Sequence, residues 1–172
     1  MTAADLRVDF ERLKNDIETL SKIGRSEDLG IYRMAFTDGD MQARKWLKSR
    51  IEDAGLTYYQ DGAANIHGRL NWSDELPSVM TGSHMDTVPG AGHLDGALGV
   101  MCGLEAMRVL KEVAPDLIYP LEFIAFSDEE GTFNGMFGSQ ALTGDISPEW
   151  IHSAKNLEGL SLVEAMKQHG LD

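Results

Sequence analysis

What this sequence lacks narrows its chemistry before any motif is read. Cys102 is its single cysteine. That excludes an internal disulfide, and it excludes a thiolate zinc site, which takes several cysteines. Any metal must be held by His, Asp and Glu. No apolar run reaches the ~18 residues of a membrane-spanning helix. The broken, charged start from Met1 to Lys14 has none of the continuous apolar core of a secretory signal. The expectation is cytoplasmic residence with no membrane partner. Basic residues are scarce, with 15 Lys and Arg against 28 Asp and Glu, a formal charge of −13. That field repels phosphate backbones and argues against a nucleic-acid partner. Most of these carboxylates read as solvated surface. No repeat or low-complexity segment occurs. With 172 residues, 42% of them hydrophobic, the chain suits one compact soluble domain with a true core.

What is present alternates between two periods. Leu6, Phe10, Leu13, Ile17, Leu20 and Ile23 recur in steps of three and four, which predicts a helix over 5–24 that ends at Gly24. Residues 25–37 read as a loop. A second helix is predicted from Asp40 to Ala54, with Trp46, Leu47 and Ile51 inward. Strands are predicted over 56–60 and 65–70, with Asp61-Gly62 as a tight turn between them. Another is predicted over 77–82. A glycine-rich loop from Pro89 to Gly96 leads into a helix over 97–111. That helix is apolar on almost every side and so is expected to be buried. Residues 120–126 read as a buried strand. A last helix spans 161–170, with Ser161 and Glu164 at capping-box spacing and Gly170 at its end. The alternation predicts an α/β fold, a layered sheet flanked by helices.

Three short segments carry candidate chemistry. In Thr81-Gly-Ser-His-Met-Asp-Thr87, His84 and Asp86 are two apart and share a side of extended backbone. A carboxylate there can accept the second N–H of a metal-binding imidazole. That makes His84 a ligand candidate and Asp86 its orienting partner. Alone, such a motif is more often a loop histidine with a nearby acid. Asp95, between Gly92 and Gly96, offers two oxygens that can bridge two cations. Its alternative is an N-cap for the following helix. Asp128-Glu129-Glu130-Gly131 ends an apolar strand. One acid as ligand and its neighbour as general base is the division of labour of a metal hydrolase. A solvated acidic turn is the alternative. Together the three fall at or just after strand C-termini, where open α/β sheets place their sites.

The runs Gly82-Ser-His-Met-Asp-Thr-Val88, Leu94-Asp-Gly-Ala-Leu-Gly-Val100, Glu129-Glu-Gly131 and Gly138-Ser-Gln-Ala141 resemble the hydantoinase/carbamoylase family of amidases. Ala43-Arg-Lys-Trp-Leu47, Ala54-Gly-Leu56 and Asn65-Ile-His-Gly68 fit as well. The family includes N-carbamoyl-L-amino-acid hydrolases, beta-ureidopropionases and allantoate amidohydrolases. It sits with the aminoacylase and carboxypeptidase-like metallopeptidases. The resemblance implies a zinc-peptidase-like catalytic domain with two divalent ions, Zn or Mn. His84 would bind the first, Asp95 would bridge both and Glu130 would bind the second. Glu129 would be the general base and Asp86 would orient His84. The implied substrate is a small ureido compound. Hydrolysis would give ammonia, carbon dioxide and an amine or amino acid.

There are two departures from the family pattern. The segment after Glu-Glu-Gly is short, Thr132-Phe-Asn134, where the family has a longer one, often with a basic residue. Family members also continue well past residue 172. They have a dimer-forming domain, two further metal-binding histidines and the residues that grip the substrate carboxylate. Residues 1–172 are therefore expected to be the N-terminal part of a catalytic domain, completed in homodimeric relatives or by a separate C-terminal chain. The alternatives are an aminoacylase- or dipeptidase-like hydrolase and a catalytically silent metal-binding remnant. The short spacing from His84 to Asp95 favours the carbamoylase branch.

Other signals are set aside. Gly90-Ala-Gly92 would place an acid, Asp95, where a dinucleotide loop needs its third glycine. No Gly-x-Ser-x-Gly occurs, so Ser83 and Ser139 are not elbow nucleophiles. Asp38-Gly-Asp40 lacks calcium-loop spacing and reads as a helix cap. His67, His152 and His169 read as ordinary surface or strand residues. His93 lies in the site loop without an assigned role. Cys102, Met101 and Met107 read as core.

Overall fold

The computed structural model of the chain describes residues 6–113 and 117–171. Four strands form one mixed sheet: β1 (Thr57–Gln60), β2 (Ile66–Leu70), β3 (Val79–His84) and β4 (Leu121–Phe126), in the order β1-β2-β4-β3. β2 pairs antiparallel with both β1 and β4, whereas β3 runs parallel to β4. A parallel pair needs a crossover connection, and α3 (Ala97–Val113) supplies it. The other helices are α1 (Phe10–Leu20), α2 (Asp38–Asp53), α4 (Phe137–Thr143), α5 (Pro148–Ser153) and α6 (Leu162–Gln168). No described helix is long and apolar enough to cross a membrane.

Strand alternation sets the core. Ile66, Leu70, Phe123 and Ala125 share one face, where they pack with Leu47 and Ile51 of α2 and with Val100 and Leu104 of α3. Each of the larger of these side chains, Val, Leu, Ile or Phe, contributes about 1.5–3 kcal/mol relative to exposure. α1 is fastened to α3 by the fully buried Glu105, which accepts from the Asp9 backbone and from Arg12. A second, smaller core gathers Phe36, Phe133, Phe137, Leu162 and Met166 around α4, α5 and α6.

Several expectations shift. α1 begins at Phe10, because the Asp9 side chain caps it by accepting the Arg12 N–H. The predicted start at residue 5 lies outside the described residues, and Phe10 is exposed. The β1–β2 turn spans residues 61–65 rather than two residues. The Asp61 carboxylate accepts the N–H groups of Ala63 and Asn65, and so makes the wider loop the better hydrogen-bonded one. Asp40 sits inside α2, where it accepts from Phe36 N–H and pairs with Arg44 at 2.8 Å. α3 is not buried all round. Met101, Leu104 and Met107 are inward, but Leu98 and Cys102 are exposed. They lie on the side of α3 that no described element covers. β3 is likewise an edge strand, with Val79 and Met80 exposed.

Candidate metal centre

Three segments converge at the C-terminal ends of the parallel pair. His84 is the last residue of β3, Asp95 lies in the loop that opens α3, and Glu130 lies in the loop after β4. One ligand atom from each of the three lies within 4.8 Å of the others. This is the one such group of His, Cys, Asp and Glu among the described residues. Gly96 makes the approach possible. It has φ +62°, and a Cβ there would stand 2.4 Å from the His84 ring. Any side chain would push the imidazole away from Asp95. Among the described residues the Asp95 carboxylate accepts no helix-capping N–H; the Ala97 N–H goes to the Asp95 backbone oxygen instead.

Asp86 ties two of these segments together, by a route other than the expected one. The His84 Nδ1 lies 3.0 Å from the Asp86 backbone oxygen and 3.7 Å from its Oδ1. The carboxylate turns instead to the neighbouring loop, where Oδ2 accepts the Glu130 N–H at 3.0 Å. Oδ1 is buried without a hydrogen-bond partner. Burial pushes the Asp86 carboxyl up to about 6, although the Glu130 N–H and His84 pull it down.

Asp128 is not one acid of a shared cluster but the clamp of its own loop. It is fully buried, with φ 52°. Its carboxylate accepts Thr132 N–H at 2.7 Å and Phe133 N–H at 3.1 Å. These bonds close the short Thr132–Asn134 segment and present Glu129 and Glu130. Burial, with the charge of Asp86 adding to it, pushes the Asp128 carboxyl up to about 7. Glu129 stands outside the three-residue group. Its carboxylate faces α4, where Ser139 holds it.

Sequence reasoning missed part of the scaffold. Arg33, fully buried, donates through Nε to the Met85 carbonyl at 2.7 Å, and its N–H donates to Thr87 Oγ1. It fixes the chain between His84 and Thr87. Nothing in the segment read as a loop signalled that role. Asn65, also fully buried, joins the start of β2 to Ser127 and Gly138. His67 is no ordinary strand residue. It is buried, with Nδ1 2.8 Å from Glu122 and Nε2 3.4 Å from Asp61. Burial alone would lower its imidazole pKa, but the two carboxylates outweigh that and raise it.

The donor set fits a divalent cation. An imidazole and carboxylates at this spacing are hard-to-borderline ligands of the kind zinc and manganese take. Among the described residues, no Lys or Arg forms an ion pair with Asp86, Asp95, Asp128, Glu129 or Glu130, and His84 is the only ion-pair partner of Asp86 and Glu130. The buried Arg33 guanidinium donates to the backbone carbonyls of Leu20, Ile23 and Met85 rather than to these acids, a balance that a divalent cation would suit. A cavity of about 320 Å³ adjoins Glu130, lined by Met34, Val88, Pro89, Thr132 and Leu157 among others.

A mixed sheet that gathers an imidazole and two carboxylates at its strand ends has the layout of a metallohydrolase. The chain belongs to peptidase family M28, a metal-dependent family whose model matches residues 65–168. It is similar to the N-carbamoyl-L-amino acid amidohydrolase of Geobacillus stearothermophilus, 39% identical over 94% of this chain and 40% of that protein. It is similar also to the allantoate amidohydrolase of Bacillus subtilis, 34% identical over 90% of this chain and 38% of that protein. The crystal structure of a hydantoinase/carbamoylase family amidase from Burkholderia phymatum superposes with a TM-score of 0.88 at 40% identity. That match covers 96% of this chain and 40% of the amidase. The chain thus spans about 40% of the length of these relatives.

Proposed function

We propose that this chain is the N-terminal part of the catalytic domain of a metal-dependent amidohydrolase. Its substrates are linear carbamoyl or ureido compounds, N-carbamoyl amino acids or allantoate. The observation that carries this reading is the meeting of His84, Asp95 and Glu130 beside a cavity. The names of the similar proteins supply the substrate class. His84, Asp95 and Glu130 would hold a pair of divalent ions, with Zn or Mn as the candidates. Bound ions supply Lewis acidity for the carbamoyl carbonyl and a more acidic water. Asp86 keeps the His84 and Glu130 segments in register. Glu129 takes the proton of the attacking water and passes it to the departing nitrogen. One water per substrate balances ammonia, carbon dioxide and the free amine.

Shared between two ions, these ligands leave each ion two, where catalytic zinc keeps three protein ligands. The reading therefore includes further polypeptide, in a homodimeric complete enzyme or in a separate complementing chain. The exposed edge of β3 and the exposed side of α3 flank the site and offer a surface on which it can pair. The peptidase-family match favours one second reading, an aminoacylase- or dipeptidase-like hydrolase with the same metal chemistry. The test is ammonia release from N-carbamoyl amino acids and from allantoate by the metal-loaded protein, alone and with a complementing C-terminal chain. Metal-dependent ammonia release is expected. Cleavage of N-acyl amino acids or dipeptides without ammonia release would transfer the assignment to the second reading.

A further inference from the structure

Ser139 stands out once its nucleophile role is set aside. It lies in α4, a helix the sequence periods did not reveal, and it engages both oxygens of Glu129. Its N–H donates to Oε1 at 2.9 Å, and its Oγ lies 3.0 Å from Oε2 and 3.3 Å from the Met136 carbonyl. A carboxylate has about four lone-pair sites, so this grip takes one on each oxygen and leaves one on each for an incoming proton. It also fixes the carboxylate plane, which rotates freely when only one oxygen is held.

The grip is rigid because its base is rigid. Gly138 donates its N–H to the Ser127 carbonyl at 2.7 Å and accepts from Asn65 Nδ2 at 3.1 Å. A Cβ at Gly138 would fall 2.1 Å from Asn65 Oδ1 and 2.4 Å from Ser127 N, so only glycine brings α4 this close to the end of β4. Ser127 in turn donates its N–H to Asn65 Oδ1, and its Oγ accepts from Arg44 of α2. The chain of contacts runs from α2 through Asn65 and Gly138 to the Glu129 side chain.

From this geometry we infer that Ser139 is a positioning residue for Glu129, aiming its carboxylate as the general base. The inference rests on the base role proposed above for Glu129. It acts through orientation, the factor by which a displacement of about 1 Å can cost roughly 100-fold in rate. Ser139 makes no hydrogen bond to His84, Asp95 or Glu130, and metal binding is left to them.

The test uses Ser139→Ala and Ser139→Thr in the 172-residue chain. Isotope-edited infrared spectra identify the Glu129 carboxylate stretch as the band lost in Glu129→Gln. The expected result is a displaced band in Ser139→Ala, restored by Ser139→Thr, with Zn²⁺ affinity within twofold of wild type in both. An unmoved band in Ser139→Ala overturns the inference. So does a Zn²⁺ affinity that falls with it, because Ser139 would then be holding the site together and not aiming one side chain. In preparations that release ammonia, Ser139→Ala should lower kcat roughly 10- to 100-fold with KM within twofold. An unchanged kcat overturns the inference. A displaced band in a protein that hydrolyses no ureido compound leaves the grip standing and overturns the reaction assigned to Glu129.

Discussion

His67 and His84 lie on β2 and β3 of one small sheet, with β4 between them; each has carboxylates in reach, and their charge balance is opposite. Around His67, Asp61 and Glu122 face the imidazole and the guanidinium of Arg69, which lies 2.6 Å from Glu122. Asp61 is further saturated by Ala63 and Asn65. Burial would raise both acids, but His67 draws Asp61 and Glu122 down, and Arg69 draws Glu122 down further. Each charge there has a protein partner. Around His84 the acids accumulate without an ion pair to Lys or Arg among the described residues, because the buried Arg33 guanidinium donates to backbone carbonyls instead; Asp86 keeps an unpartnered buried oxygen, and burial raises Asp86 and Asp128. A self-neutralised cluster of this kind is structural. A cluster left short of paired positive charge suits a bound cation, as proposed for His84, Asp95 and Glu130.

That contrast sorts the effects of substitution. The largest is at Glu129. Glu129→Gln keeps the metal and lowers turnover about 10²- to 10⁴-fold, read as the rate of ammonia release by the metal-loaded enzyme. Rates like wild type would remove Glu129 from the base role. Glu122→Ala does the reverse. It removes the carboxylate that pairs the buried His67 and the half-buried Arg69 and costs about 3–5 kcal/mol of stability. Thermal or urea unfolding measures that loss, while metal affinity stays unchanged. A loss of metal affinity without a loss of stability would invert the assignment of the two clusters.

A smaller effect follows from pH. His67 has a raised folded value, so its contribution is present below its ordinary 6.5 and fades as the pH climbs through the raised value. Asp61 and Glu122 have depressed values. Their contribution is present above their ordinary 3.8 and 4.5 and fades as the pH falls through the folded ones. The gap in Tm between wild type and His67→Gln is therefore widest between pH 4.5 and 6.5 and narrows on both sides. Asp86 and Asp128, also raised, lose stability as pH rises toward 7, in the same sense as His67 and opposite to Asp61 and Glu122, but they are common to both proteins and cancel in the difference. A gap that widened steadily above pH 7 would contradict the paired His67.

The layered α/β order and all four strands were legible in the sequence, because a period of two or an unbroken apolar run survives without tertiary information. So was the Ser161–Glu164 capping box, a purely local interaction. What was not legible depends on what lies across the fold. Cys102 and Leu98 carry core-like side chains but face an uncovered side of α3, and composition cannot report that. His67 looked ordinary because Glu122 is 55 residues away in sequence. α4 and α5 are too short to show a helical period, so Ser139 had no context. Asp86 was paired with His84 by spacing, yet its carboxylate went to Glu130 N–H, a partner supplied by the β4 loop. The three ligand candidates were readable because short motifs preserve them. Their meeting depends on Gly96 and on the parallel pairing of β3 with β4.

The most direct test of the contrast is calorimetric titration of Zn²⁺ or Mn²⁺ into the chain near pH 7. The set is wild type, His84→Ala, Asp95→Asn, Glu130→Gln and His67→Ala. Binding is expected in wild type and in folded His67→Ala, weakened at least tenfold by each of the other three changes. Equal affinity across the whole set, or no binding by the wild-type chain, would contradict the contrast.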